Sequence, residues 1–81
     1  MKKVAVILAG CGTMDGSEIN ETVTLLLALD QHSIEYQAFA PDENQYEVWD
    51  HVKWQHTDEK RNMMAEAARI VRGKILPISQ F

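Results

Sequence analysis

Apolar residues near the start of the chain form one short uninterrupted run, from Val4 to Ala9. A β-branched run that is apolar at every position is typical of a central strand in a parallel sheet, which is buried on both faces. The lysines before the run and Cys11 behind it also resemble a small lipoprotein signal. That interpretation fails on length, because a secretory signal has about 7–15 apolar residues within a segment of 15–30. The run therefore predicts a first strand, followed by a turn that holds Cys11.

Helical spacing of apolar residues begins after a glycine-rich loop. We predict a helix from Gly16 to Gln31, capped by Asp15, with Glu18 completing a capping box. A second strand from Ile34 to Ala40 follows, and strand, helix and strand in this order predict a βαβ unit with a right-handed crossover. The helix is expected to bury one stripe, apolar except at its last position: Ile19, Val23, Leu26, Leu27 and Asp30.

The second half of the chain contains three more patterns. Alternation from Tyr46 to Trp54 predicts an extended segment or a hairpin. A strong helical pattern runs from Thr57, the expected cap, to Gly73, a residue favoured just after a helix. The apolar segment after Lys74 predicts a further strand, so the chain as a whole is predicted to be α/β with a parallel sheet. The expected buried stripe of the second helix is Met63, Met64, Ala67, Ala68 and Val71.

Composition and charge narrow the class of protein. The chain has 81 residues and a net charge of −4. This acidic balance argues against phosphate backbones and anionic membranes as partners, so we expect neither nucleic acid nor a membrane. One cysteine and three scattered histidines predict no metal site, and no cofactor is expected. Since no secretory signal, disulfide framework or membrane span is evident, we expect a cytoplasmic protein.

The first predicted strand is apolar on both faces, yet only one obvious crossover helix is positioned to cover it. A parallel sheet normally has layers on both faces. We therefore expect residues 1–81 to form a single partial α/β domain, either the front part of a larger domain or a piece that needs a partner.

The loop from Gly10 to Gly16 is the best candidate for chemistry. Cys11 suggests a nucleophile, since a thiol near a helix start can have a lowered pKa. No histidine is near it in sequence, however, so a plain, partly buried thiol is favoured. Gly10 and Gly12 also match the start of a dinucleotide-binding fingerprint. Asp15 replaces its third glycine, and because a carboxylate there would repel a pyrophosphate, nucleotide binding is not expected.

Three stretches together resemble one known family: VILAGCGTMDGSEINE, FAPDENQYEVWDHV and RNMMAEAARIVRGKI. They are similar to the N-terminal portion of ElbB-like proteins, also called isoprenoid biosynthesis glyoxalases or sigma cross-reacting proteins. These belong to the PfpI-type, glutamine-amidotransferase-like superfamily. The resemblance covers essentially the whole chain. It implies a flavodoxin-like three-layer sandwich, with a nucleophilic cysteine on a strand-to-helix elbow beyond residue 81.

The resemblance also implies a reaction. The segment DGSE is similar to one that presents a glutamate towards the nucleophile, which makes Glu18 the expected catalytic residue. The family implies a glyoxalase, a lyase in which a thiolate adds to a small aldehyde and a carboxyl group moves protons between two carbons to give a hydroxy acid. We expect the full-length protein to be a homo-oligomer and the 81-residue chain to be inactive. The residues expected to border the active site are Gly10, Cys11, Gly12, Asp15 and Gly16.

Two alternatives stay open from the sequence. Glu18 is also explained as a helix-capping residue without a catalytic role. The whole chain is also explained as a non-catalytic α/β module that binds a ligand or partner at the loop after the first strand.

Overall fold

The computed structural model describes residues 3–81, so of the two opening lysines only Lys3 falls within it. Strands and helices alternate in the first and last parts, with a small hairpin between them. The elements are β1 (Val4–Ile7), α1 (Ile19–Gln31), β2 (Tyr36–Ala40), β3 (Val48–Asp50), β4 (Gln55–Thr57), α2 (Met63–Val71) and β5 (Ile75–Pro77), followed by a 3₁₀ turn (Ile78–Gln80).

The main sheet is parallel, as predicted. Its strand order is β1-β2-β5, and both neighbouring pairs are parallel. In the register, Val6 lies opposite Ala38, and Ala38 lies opposite Ile75. The first strand ends at Ile7 and not at Ala9, although the backbone N–H of Leu8 still donates to the carbonyl of Phe39 at 2.8 Å. The predicted α/β class and parallel sheet are confirmed.

Both helices pack on one face of the sheet around a shared core. Because strand side chains alternate between faces, residues Val6 and Ala38 point to the helices while their neighbours Ile7 and Phe39 point away. The structure therefore has two layers within residues 3–81, and the second sheet face has no helix over it there. The core consists of Val6, Leu8, Leu26, Ala38, Ala40, Ala67 and Val71.

The predicted buried stripe of α1 is wrong in most of its positions. Only Leu26 is buried as predicted, together with Thr22, which was not predicted. Three consecutive leucines in this helix make several stripes equally apolar, so hydrophobic spacing cannot fix its rotation. Packing against α2 and the sheet selects the stripe that contains Leu26 and Leu29. The apolar residues left exposed are Ile19, Val23, Leu25 and Leu27.

The second helix starts later than predicted. Its cap is Asn62, whose side-chain oxygen accepts from the backbone N–H of Ala65 at 2.8 Å. Thr57 instead ends β4, which pairs with β3 in an antiparallel hairpin. Of the alternating segment from Tyr46 to Trp54, only Val48–Asp50 is a strand, and the second strand of the hairpin lies beyond it. The helix is delayed because the N–H of Met63 donates to the carbonyl of Glu43 at 2.7 Å, holding the approach to it extended. Within residues 3–81 no helix has both the length and the apolar character needed to cross a membrane.

Candidate functional site

The glycine-rich segment forms a closed loop at the carboxyl end of β1, which we call the site loop (residues 10–17). In parallel α/β sheets, ligands bind beyond the carboxyl ends of the strands. Ser17 closes the loop by bonding Ala9 twice: its N–H donates to the carbonyl of Ala9 at 2.8 Å, and its Oγ accepts from the N–H of Ala9 at 2.9 Å. Its carbonyl also accepts from the N–H of Gly12 at 2.8 Å.

Glycines make this tight closure possible. A Cβ on Gly16 would lie 2.6 Å from the backbone nitrogen of Cys11 and 2.8 Å from the carbonyl oxygen of Ala9, which is closer than real contacts allow. Gly10 and Gly12 have φ values of +75° and +133°, a region that favours glycine. The loop backbone is therefore packed against itself and has little freedom to adjust.

Glu18 is the capping residue of α1. Its Oε1 accepts a hydrogen bond from the backbone N–H of Glu21 at 2.8 Å, and this bond is exposed although the residue as a whole is partly buried. The predicted capping box is therefore wrong in detail, because Asp15 does not cap the helix and α1 starts at Ile19 and not at Gly16. A carboxylate at a helix start is stabilised by the positive end of the helix dipole.

Asp15 turns away from α1 and contacts the hairpin. Its side chain is only 6% exposed, and Oδ2 accepts from the backbone N–H of Trp49 at 2.7 Å. Oδ1 lies 3.8 Å from Nε2 of His51, whose side chain is 40% exposed. Sequence patterns could not predict this pairing, since Trp49 and His51 lie more than thirty residues from Asp15. The one indication in the sequence that Asp15 is unusual is its position, where the dinucleotide-binding fingerprint has its third glycine.

Cys11 is a partly exposed thiol beside α2. Burial raises its pKa, and the negative charges of Glu66 and Asp15 act in the same direction, while Arg69 opposes them. The thiol is therefore mainly protonated at neutral pH, and thiolate character is what nucleophilic attack requires. This environment favours the plain-thiol interpretation over the nucleophile.

An open groove of about 410 Å³ lies between the site loop and the start of the hairpin, with Asp15, Gln45 and Met63 among its lining residues. A larger groove of about 520 Å³ lies near Lys3, Asp30 and Tyr36, at the amino ends of the strands. We take the first as the candidate site because of its position at the carboxyl end of β1. Among the residues described, no group of three or more histidines, cysteines and acids is placed to hold a metal ion.

The structure places the five predicted loop residues and Glu18 at one end of the sheet, and adds Gln45, Trp49 and His51 from the hairpin side. Of the predicted residues, Asp15 and Gly16 line the 410 Å³ groove, while Glu18 lies outside its lining. His32 follows α1 and lies in a different part of the fold. The site has the form of a rigid loop whose acidic residues face in two directions. Asp15 faces the hairpin, while Glu18 stands at the head of α1.

Comparison with known proteins identifies relatives of this fold and loop. No family model matches the chain. The chain is 46% identical over 79 residues to the mitochondrial ES1 protein homolog of Rattus norvegicus, covering 96% of this chain and 30% of that protein. It is 46% identical over 78 residues to the mitochondrial glutamine amidotransferase-like class 1 domain-containing protein 3 of Homo sapiens, covering 95% of this chain and 29% of that protein.

A solved structure has nearly the same fold as this chain. It is the isoprenoid biosynthesis protein with amidotransferase-like domain from Ehrlichia chaffeensis, which matches with a TM-score of 0.96 and 50% identity. The match covers 99% of this chain and 38% of that chain.

The fold and loop therefore define an α/β protein of the amidotransferase-like, flavodoxin type. The resemblance seen in the sequence is confirmed: the chain is homologous to glutamine amidotransferase-like proteins of the ES1 kind and fits their N-terminal portion. It spans less than two fifths of the length of each of these proteins.

The expectation of a cytoplasmic protein is contradicted by these relatives. The rat, human and zebrafish proteins are all named mitochondrial. A chain without an evident secretory signal, disulfide framework or membrane span can still be a mitochondrial protein. Mitochondrial targeting segments are amphipathic and rich in arginine and serine.

Proposed function

We propose that this chain supplies the N-terminal part of a glyoxalase-like active site, in which Glu18 moves protons on a small aldehyde substrate. One observation carries the proposal. Glu18 is a partly buried residue just after the site loop, and the N–H of Glu21 holds its carboxylate at 2.8 Å in a solvent-exposed hydrogen bond. A positioned carboxylate at this end of a parallel sheet suits general acid–base catalysis.

The reaction starts with a thiolate from residues outside these 81, which adds to the aldehyde carbon of a 2-oxoaldehyde. Glu18 then takes the proton from that carbon and returns one to the neighbouring carbon, which leaves a thioester. Water hydrolyses the thioester, releasing the 2-hydroxy acid and regenerating the thiol. The substrate and one water together equal the product, so no redox cofactor is consumed.

Cys11 is poorly suited to be the attacking thiolate, since burial and the nearby Glu66 raise its pKa. It is the only cysteine among the 81 residues. We therefore expect the 81-residue chain by itself to have no glyoxalase activity.

The setting of the reaction is proposed from the solved relative. The protein from Ehrlichia chaffeensis is described as an isoprenoid biosynthesis protein, and we place this chain in the same metabolism. The full-length protein, meaning a chain of the relatives' length that contains these 81 residues, is proposed to act as a homo-oligomer.

The test compares Glu18→Gln with Glu21→Gln in the full-length protein. Glutamine keeps the shape of Glu18 and accepts the capping hydrogen bond, but it cannot carry the proton. A positioned acid or base contributes about 10²–10⁴-fold, so kcat of Glu18→Gln should fall by that order. Glu21 lies on the same helical turn and is exposed, so its amide variant should keep its turnover and is the matched control.

Thermal melting of both variants completes the experiment. If Glu18→Gln keeps its turnover while only its melting temperature falls, Glu18 is a cap and the catalytic proposal is wrong. If the unaltered full-length protein converts no 2-oxoaldehyde, the non-catalytic module becomes the better interpretation.

A further inference from the structure

The buried carboxylate of Asp15 is the starting point. Its side chain is only 6% exposed. Oδ2 accepts a hydrogen bond from the N–H of Trp49 at 2.7 Å. Oδ1 is buried and accepts no hydrogen bond from the residues that the structure describes. A carboxylate is costly to bury unless donors or a cation replace its lost hydration. Packing alone therefore does not explain a buried carboxylate at this position.

His51 links the same two parts of the fold. Its Nε2 lies 2.7 Å from the carbonyl oxygen of Thr13 in the site loop. Because a carbonyl oxygen can only accept, Nε2 carries a hydrogen and donates it. The same nitrogen lies 3.8 Å from Oδ1 of Asp15. One ring nitrogen thus holds the loop backbone and faces its buried carboxylate.

Gln45 adds a third attachment. Its side-chain Nε2 donates to the carbonyl of Asp15 at 3.2 Å and to the carbonyl of Glu47 at 3.0 Å. Three groups therefore hold residues 13–15 of the site loop. They are the side-chain amide of Gln45, the backbone N–H of Trp49 and the imidazole of His51. All three attachments meet at or beside Asp15.

We propose that Asp15 is a positioning residue, which together with His51 fixes the site loop to the hairpin and thereby fixes where Glu18 stands. The loop runs from Asp15 through Gly16 to Ser17, and Glu18 follows directly. Gly16 is packed against the backbone of Cys11 and Ala9 with no room for a Cβ. We therefore expect a movement of Asp15 to displace the start of α1. The catalytic consequence rests on the proposed function, while the structural coupling does not.

The structural arm of the test is an amide NMR comparison of the full-length protein and its Asp15→Asn variant. The Trp49 amide should move upfield, because its acceptor loses its negative charge. The Glu21 amide should move as well, since its N–H bonds to Oε1 of Glu18 and reports on that side chain. Asp58→Asn, which alters an exposed carboxylate between β4 and α2, should move neither amide. If the Trp49 amide resonance shifts while that of Glu21 does not, Asp15 does not position Glu18 and the proposal is wrong.

The kinetic arm measures kcat and KM on a 2-oxoaldehyde. Misplacing a catalytic group by about 1 Å can cost on the order of 10²-fold, so Asp15→Asn should lower kcat by about 10–100-fold with little change in KM. His51→Gln should also lower kcat, and the double variant should lose less than the product of the two single losses. Losses that multiply would show that Asp15 and His51 act independently, contrary to the proposal.

The two arms keep this proposal apart from the proposed function. If the full-length protein has no turnover, the glyoxalase proposal fails and the Glu21 amide alone decides whether Asp15 positions Glu18. If turnover exists and Asp15→Asn lowers only the melting temperature, with kcat unchanged where the variant is folded, Asp15 is merely structural and the inference is overturned.

Discussion

Cys11 shows how a single residue's surroundings decide its chemistry. A cysteine in a glycine-rich loop before a helix has the local sequence of an activated thiol. The fold places it beside Glu66, whose charge, together with burial, raises its pKa and outweighs the opposite effect of Arg69. The loop sequence alone could not reveal these two residues, because they come from α2.

The Cys11 thiol should therefore be alkylated slowly. In the full-length protein, we expect iodoacetamide to label Cys11 more slowly than in the same protein unfolded in urea, near pH 8, because less thiolate is present in the folded state. Because the pKa of the folded thiol is raised, the difference between the folded and unfolded labelling rates should narrow as pH rises, since the folded thiol then ionises too. Mass spectrometry of the peptide that contains Cys11 gives both rates. Faster labelling in the folded protein would identify an activated thiol instead.

Asp15 and Glu18 show what the sequence could and could not predict at this scale. Their place in a loop after the first strand was predictable from the glycines and the helical pattern around them. Their individual roles were not. Asp15 bonds Trp49, which is distant in sequence, so Glu18 caps the helix in its place. Local capping rules cannot weigh a hydrogen bond that only the tertiary fold provides.

At the scale of elements, the sequence predicts the existence and order of strands and helices better than their rotation and starts. Hydrophobic patterning identifies β1, β2 and the segment around β3 because strand periodicity is short and local. It does not identify β4, whose three residues are all polar. The rotation of α1 was missed because Leu25, Leu26 and Leu27 are all apolar, and only packing chooses Leu26. The start of α2 was missed because Thr57 and Asn62 are both good caps.

Asn62 and Thr57 allow a direct comparison of the observed and the expected cap. Asn62→Ala should lower the free energy of unfolding by about 0.5–2 kcal/mol, since the N–H of Ala65 loses its partner. It also removes the 2.8 Å hydrogen bond to Asp42, which ties the helix start to the segment after β2. Urea unfolding of the full-length protein gives the values. Thr57→Ala removes a longer hydrogen bond, the one that the N–H of Glu59 donates to the Thr57 hydroxyl at 3.1 Å, so it should cost less. An equal or greater cost at Thr57 would contradict this prediction.

At the scale of the whole molecule, the second sheet face carries apolar residues that no α-helix of residues 3–81 covers. Ile7, Phe39 and Leu76 form a continuous row across β1, β2 and β5 in the observed register, and Phe81 packs edge-on against Phe39 at 5.5 Å. We call these four residues the open face. Phe39 itself is buried, at 8% exposed, so Ile7, Leu76 and Phe81 supply the exposed apolar surface. Ile7 is 51% exposed and Phe81 is 77% exposed. The sequence predicted such a surface, because the first strand is apolar on both faces and only one crossover helix was positioned to cover it.

The open face should make the 81-residue chain self-associate when it is produced alone, because contiguous exposed apolar surface favours association in water. Sedimentation velocity should show oligomers whose share grows with concentration. The double substitution Ile7→Thr with Leu76→Thr should shift the chain towards monomer, since threonine keeps the strand preference of both positions while adding a hydroxyl to the face. Val52→Thr is the matched control, because Val52 is 96% exposed but lies at the hairpin tip, away from the open face. It should leave the association unchanged.

A monodisperse monomer of the unaltered chain with a sharp cooperative melt would show that the sheet tolerates its open face. If Val52→Thr shifts the chain towards monomer as much as the double variant does, the surface through which the chains associate lies elsewhere.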